Sequence, residues 1–182
     1  GVGSLVCQMA KLKGHKVIGS AGGAAKAAFL RDRLKLDGVI DYKVEPNLTK
    51  ALARETKAIG AEGIDLYFDN VGGDHLHAAI AVAMPFARMA ICGMISQYNA
   101  AGQVTPPRNL TLIMGKRLRL EGFIALDHFD IEQHFLADVS AWHRAGLLDP
   151  VETVFDGIDQ ALAAFNALFD GSSMGRTLVR LG

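Results

Sequence analysis

Gly1-Val2-Gly3-Ser4-Leu5-Val6-Cys7-Gln8-Met9-Ala10-Lys11 starts as a glycine turn and continues without a break as an apolar-periodic helix. Val2, Leu5, Val6 and Met9 fall on one helical face, and Gly14 stands where such a helix stops. Glycines at a helix N-terminus make an anion cradle. Bare backbone lets a pyrophosphate approach, and free N–H groups with the helix dipole neutralise it. In an α/β nucleotide-binding fold a strand feeds this turn. None precedes Gly1, so the sequence reads as the excised half of a larger enzyme, its first strand missing.

The rest of the chain alternates strand and helix. His15–Gly19 reads as a short strand ending in Ser20-Ala21-Gly22-Gly23, residues 24–34 as a helix, and Gly38–Tyr42 as a strand. Pro46-Asn47 opens a helix running to about residue 59, Ile64–Asp69 is a strand, and Asn70-Val71-Gly72-Gly73 turns into a fourth helix. Arg88–Gly93 is a further strand, followed by a long irregular stretch from Met94 to Pro107 that contains Gly102 and Pro106. A strand is expected around Leu118–Ala125. A helix capped by Asp130, with Gln133 three residues on, should bury Ile131, Phe135, Val139 and Trp142. A helix at 158–169 and a closing strand, Gly175–Arg180, complete the chain. The rhythm predicts an α/β fold, a Rossmann-type doubly wound parallel sheet covered by helices on both faces, as one domain over 1–182.

Composition bounds the function. The chain has 182 residues, 50% of them hydrophobic, and 19 basic residues balance 19 acidic ones. That balance gives no field for nucleic acid or anionic lipid. No apolar run reaches the roughly 18 residues of a membrane span. Cys7 and Cys92 are too few for a disulfide framework or a zinc quartet, which favours a reduced, cytoplasmic setting.

Ligands of such sheets bind beyond the carboxyl ends of the strands. Four ends are small or polar here: Ser20-Ala21-Gly22-Gly23, Asp41-Tyr42-Lys43, Asp69–Gly73 and Cys92-Gly93-Met94-Ile95-Ser96. An NAD enzyme places a carboxylate after its second strand to hold the ribose 2′-hydroxyl. This chain has Ser20 and bare glycines there, with Lys26 one helical turn on. A lysine on its own is an ordinary solvated residue. Beside a glycine turn lacking an acid, it suits the 2′-phosphate of NADP.

Other candidates carry less. His75 and His77 stand two apart on a helix and point away from each other, so they read as surface residues and not as metal ligands. Cys7 reads as a small core residue despite its helix N-terminal position. Tyr98, in Ser96-Gln97-Tyr98-Asn99, is either a lid aromatic or a proton relay. Arg117 and Arg119 share a strand face, as a solvated edge or in salt bridges.

Taken in order, Gly1-Val2-Gly3-Ser4, Ala21-Gly22-Gly23 with Lys26, Ile40-Asp41-Tyr42-Lys43, Phe68-Asp69-Asn70-Val71-Gly72-Gly73 and Cys92–Asn99 resemble the medium-chain dehydrogenase/reductase superfamily. The resemblance is to its zinc-independent branch of prostaglandin and alkenal (enone) reductases, and it runs over nearly the whole chain. It implies a missing GroES-like domain ahead of this NADP-binding one. It implies that Gly1, Val2 and Gly3 cradle the pyrophosphate, with Gly22 and Gly23 forming the next turn. Lys26 and Tyr42 would hold the 2′-phosphate and Asn70 the ribose and nicotinamide side. Cys92, Gly93, Met94, Ile95, Ser96 and Tyr98 would wall the nicotinamide, with Phe123, Ile124 and Ala125 behind. Ser173 falls where the family often has a cofactor-contacting asparagine, and Gly115 where some members have a tyrosine.

The implied activity is NADPH-dependent reduction of an α,β-unsaturated carbonyl without a metal ion. Hydride passes to the β-carbon, a hydrogen-bond donor, either the cofactor's ribose hydroxyl or Tyr98, steadies the enolate, and a proton reaches the α-carbon. Quinone reduction is the near alternative, and a nucleotide-binding module without turnover the distant one. No nucleic-acid or membrane partner is expected. An exposed sheet edge points to a homodimer or to a strand supplied from elsewhere.

Overall fold

In the computed structural model, residues 1–98 and 107–182 are described, so Asn99, Gly102 and Pro106 lie outside the described residues. The elements follow the order α1 (Val2–Leu12), β1 (Ile18–Ala21), α2 (Ala24–Ala28), β2 (Gly38–Asp41), α3 (Leu48–Ala58), β3 (Ile64–Asp69), α4 (Gly73–Val82), β4 (Ala83–Ile91), α5 (Ile95–Tyr98), α6 (Thr111–Lys116), β5 (Arg119–Gly122), α7 (Glu132–Arg144), β6 (Glu152–Asp156), α8 (Ala161–Asp170) and β7 (Arg176–Arg180). The protein is a Rossmann-type parallel α/β fold. Every ladder among the described residues is parallel: β1 with β2, β3 with β4 and β4 with β5, β6 with β7.

Local chemistry sets the boundaries. Asn47 caps α3 by accepting the Lys50 amide N–H at 2.9 Å. Gly14 at φ 82° closes α1, where its amide donates to the Lys11 carbonyl at 2.9 Å. α2 runs into a π-helical turn over Phe29–Arg33, which completes the expected 24–34 helix. The first strand is shifted two to three residues from the expected His15–Gly19. His15 and Lys16 stay outside because the Val17 amide is held by the Asp37 carboxylate at 2.6 Å, and pairing begins at Ile18↔Gly38.

Two cores hold the ladders. Leu76, Ala79 and Ile80 of α4 pack on Met89 and Ala87 of β4, joined by Tyr67, Ile91, Leu120 and, from α6, Leu112 and Ile113. Leu30, Leu34 and Leu36 form the second, against Cys7, Val17, Ala21 and Val39. Cys7 is thus a packing residue, and burial pushes its thiol pKa up. Lys116 closes the end of α4 by donating to the Ala81 and Ala83 carbonyls at 2.7 and 2.8 Å.

The structure departs from expectation in four places. The strands form three separate ladders, among the described residues, and not one continuous sheet. The face of β3–β4–β5 that carries Leu66, Arg88, Arg119 and Glu121 is open to solvent, with Leu66 62% exposed. α7 does not cover it. Phe129–Ile131 form a 3-10 turn, so the helix starts at Glu132, uncapped by Asp130, and Ile131, Phe135 and Leu136 stay exposed. Only the far end of α7 meets α1, where Lys13 pairs with Asp138 at 3.2 Å and lies 5.2 Å above the Trp142 ring. Arg117 and Arg119 do not share a strand face either. Arg117 is a left-handed helix cap stacked 4.5 Å over Phe86, and Arg119 pairs with Glu121 at 2.7 Å.

Candidate cofactor site

The N-terminus of α1 meets two other segments. A Cβ built on Gly1 would lie 3.4 Å from the Gly175 carbonyl, and one on Gly171 would lie 3.6 Å from Lys26 Nζ. Gly1, Lys26 and the 171–175 turn therefore converge. The first amides of α1 receive no side-chain cap, which leaves them available to an anion. Lys26 is half-buried, and no ion pair engages it among the described residues. Ser173 lies in the same turn, but its hydroxyl donates to the Ala167 carbonyl at 3.0 Å and is committed to the end of α8.

The ends of β1 and β2 form the second part. Gly22 is bare because Tyr42 fills the space beside it: a Cβ there would fall 2.6 Å from the Tyr42 hydroxyl and 3.1 Å from Lys43 Cε. Gly23, at φ 97°, takes a conformation that side-chain-bearing residues avoid. Its amide donates to Asp41 Oδ1 at 2.8 Å, and the Lys43 amide donates to the same oxygen at 3.1 Å. A carboxylate thus stands next to the turn after all, supplied by the following strand and occupied with backbone amides.

The ends of β3 and β4 form the third part, organised by Asp69. Asp69 is fully buried, and its Oδ1 accepts the Val71 and Gly72 amides, each at 2.8 Å. Its backbone carbonyl accepts the Cys92 and Gly93 amides at 2.8 and 3.0 Å. Beyond it, the Ile95 amide reaches the Asn70 carbonyl at 3.1 Å, while the Ser96 hydroxyl reaches the Val71 carbonyl at 2.5 Å. The Asn70–Gly73 turn and the Cys92–Tyr98 strap are therefore one unit. Met94 packs on bare Gly72, where a Cβ would come within 3.0 Å of it. Tyr98 is 69% exposed, and its hydroxyl accepts the Met94 amide at 3.3 Å, folded back on its own strap. Phe123 lies apart from the strap, against Phe68 and His128 on the open sheet face, with Ile124 and Ala125 exposed beyond it.

Sequence reasoning put Asp41 and Asp69 at strand ends without giving them a role and read His75 as a surface residue, yet all three build this edge. The first two carry an Asx-turn signal, an aspartate just before glycine or a tight turn. His75 is no surface residue. It is half-buried, 3.1 Å from the Ser20 hydroxyl through Nε2 and edge-on to the Tyr42 ring at 5.1 Å. Burial outweighs the opposing charges of Asp69 and Asp74 and lowers its pKa. His77 also has a partner, its Nδ1 accepting the Arg108 amide at 3.3 Å.

The two thiols differ correspondingly. Cys92 is exposed on the strap, whereas Cys7 is held in the core. A thiol-specific chromogenic reagent should label Cys92 at least about tenfold faster than Cys7, because thiolate fraction and access both favour it. Cys92→Ser should remove the fast phase; two equal rates would contradict the burial of Cys7.

Residues 1–141 match the zinc-binding dehydrogenase family. The chain belongs to that family. It is 38% identical over 180 residues to prostaglandin reductase 1 of Rattus norvegicus, covering 98% of this chain and 53% of that protein. It is 39% identical over 178 residues to the 2-alkenal reductase (NADP(+)-dependent) of Nicotiana tabacum, covering 98% and 50%. Among solved structures, CurA from Vibrio vulnificus in complex with NADPH superposes with a TM-score of 0.89 at 35% identity, covering all of this chain and 54% of that one. The chain thus falls in the prostaglandin and alkenal reductase branch, and it spans about half the length of the curated relatives it matches. Among the described residues, no three His, Cys, Asp or Glu side chains come together as a metal site, and no helix is long and apolar enough to cross a membrane.

Proposed function

We propose that residues 1–182 are the NADP-binding domain of an NADPH-dependent reductase that acts on the C=C bond of α,β-unsaturated carbonyls. The observation that carries this reading is the convergence of the uncapped α1 N-terminus, the half-buried Lys26 and bare Gly171 at one corner of the sheet. That corner offers amides and a cation to phosphate groups, and the Asp41 carboxylate nearby is turned to backbone amides. Gly1, Val2 and Gly3 hold the pyrophosphate, while Lys26 and Tyr42 hold the 2′-phosphate. Asn70 and the strap from Cys92 to Tyr98 bind the nicotinamide side, while Phe123, Ile124 and Ala125 stay on the open sheet face. Ser173 contributes backbone only, since its hydroxyl is engaged.

NADPH, when bound, supplies hydride to the substrate β-carbon. The Asp69-anchored strap fixes the wall against which that substrate lies and excludes water from it. Tyr98 steadies the developing enolate oxygen once its hydroxyl turns from the Met94 amide towards the cleft. The substrate is a small molecule. A cytoplasmic location fits the two free thiols, and a homodimer fits the unpaired ladder edges.

Turnover by the whole protein tests the assignment. With an alkenal in excess, NADPH absorbance should fall in step with loss of the C=C bond, the carbonyl being retained in the product. Consumption of NADPH with a quinone and none with alkenals would establish the alternative, a quinone oxidoreductase. Cofactor binding without consumption by either would leave a nucleotide-binding module.

A further inference from the structure

We propose that His75 is a positioning residue for the cofactor's 2′-phosphate end, an inference that rests on the NADP reading above. The β1–β2 ladder and the β3–β4–β5 ladder share no strand pairing among the described residues. At the cofactor edge the His75 side chain contacts both. It leaves the first turn of α4, whose position follows from Asp69 gripping the Val71 and Gly72 amides and from the His75 amide donating to the Gly72 carbonyl at 3.2 Å. From there Nε2 reaches the Ser20 hydroxyl on β1 at 3.1 Å, and the ring edge meets Tyr42 after β2 at 5.1 Å and 84°.

Tyr42 needs such a support. It is 40% exposed, and the Gly22 backbone beneath its hydroxyl restrains the ring in only one direction. The His75 ring, perpendicular to that of Tyr42, supplies the lateral restraint, and the Ser20 hydrogen bond fixes the angle of the His75 ring. Held in this way, the Tyr42 hydroxyl stays over the glycine turn that precedes Lys26. A tyrosine free to swing would offer the phosphate a donor only part of the time, so affinity would drop for NADPH and not for NADH, which has no 2′-phosphate. His75 touches no substrate in this account. It acts through Tyr42 and Ser20.

The test is the ratio of NADH to NADPH dissociation constants, measured by fluorescence titration on the full chain and its variants, with adenosine 2′,5′-bisphosphate as a probe of that end alone. His75→Ala should lower the ratio about five- to tenfold and weaken the probe by a similar factor, with NADH binding unchanged within about twofold. His75→Phe keeps the ring contact but loses the Ser20 hydrogen bond, so it should lower the ratio only about two- to threefold, as Ser20→Ala does. Ser20→Ala should lower the ratio about two- to threefold. A purely structural role would weaken both dinucleotides together. Equal weakening, or an unchanged ratio in His75→Ala, overturns the inference. Should His75→Ala fail to fold, an unchanged ratio in Ser20→Ala overturns it instead. A parent chain that prefers NADPH while every variant keeps the parent's ratio removes this inference alone. A parent without preference for NADPH removes the NADP reading and this inference with it.

Discussion

Replacing Lys26 by alanine is expected to weaken NADPH binding about 10- to 100-fold while leaving NADH within about twofold. A charge-assisted hydrogen bond to a phosphate is worth about 1.5–3 kcal/mol, which corresponds to that range. Lys26 is half-buried, and among the described residues no ion pair of its own would have to break when the phosphate arrives. Calorimetric titration with both dinucleotides reads the effect directly. Lys26 sets its Nζ, and not a buried apolar group, 3.6 Å from a Cβ built on Gly171, so the variant should fold normally, and a melting curve on the same sample checks this. Equal losses for NADPH and NADH would mean that the lysine serves the pyrophosphate or the fold and not the 2′-phosphate.

The second large effect concerns folding. Gly175→Ala should cost at least about 3 kcal/mol and lower the melting temperature by roughly 10 °C. A Cβ on Gly175 would stand 1.9 Å from the Val151 carbonyl oxygen and 2.4 Å from its carbon, and backbone cannot swing aside as a side-chain tip can. The same carbonyl accepts the Arg176 amide at 2.8 Å, so relief of the clash would pull apart the start of the β6–β7 ladder. Gly146→Ala is the control. Gly146 has a comparable φ of 67° but open space around it, so only the cost of a left-handed alanine, about 1–2 kcal/mol, applies. Similar melting temperatures for the two variants would show that the turn yields, contrary to the close approach seen here.

The parallel α/β class and most elements were legible because their signals are local. Ile64–Asp69 and the Asn47 cap fall where strand periodicity and capping chemistry put them. The convergence of strand ends was legible too, since a parallel fold places every carboxyl end on one edge. What escaped is tertiary. Phe135 and Leu136 have the spacing of a buried stripe, but burial needs a partner surface, and helical periodicity cannot say whether one is in reach. Arg117 and Arg119 have strand spacing, yet a left-handed cap at Arg117 separates them. His75 looked like a surface residue because a helix position two away from another histidine says nothing of the strand facing it. Its bond to Ser20 spans 55 residues of sequence, and no window shorter than that contains both groups.

The division of the strands into separate ladders also bears on how the protein responds to heat and to its ligand. Within a continuous sheet, backbone hydrogen bonds spread cooperativity from strand to strand. Among the described residues of this 182-residue chain that spread stops between β2–β1 and β3–β4–β5, and helix packing and the Ser20–His75–Tyr42 contacts join the two. For residues 1–182 taken on their own, the first motion on warming should therefore be a hinge between two stiff halves, not fraying of either, and amide exchange would report it as separate protected blocks. A molecule lying along the shared edge would act as a brace across that hinge. Its binding free energy would then appear as added rigidity of the junction, in proportion to occupancy.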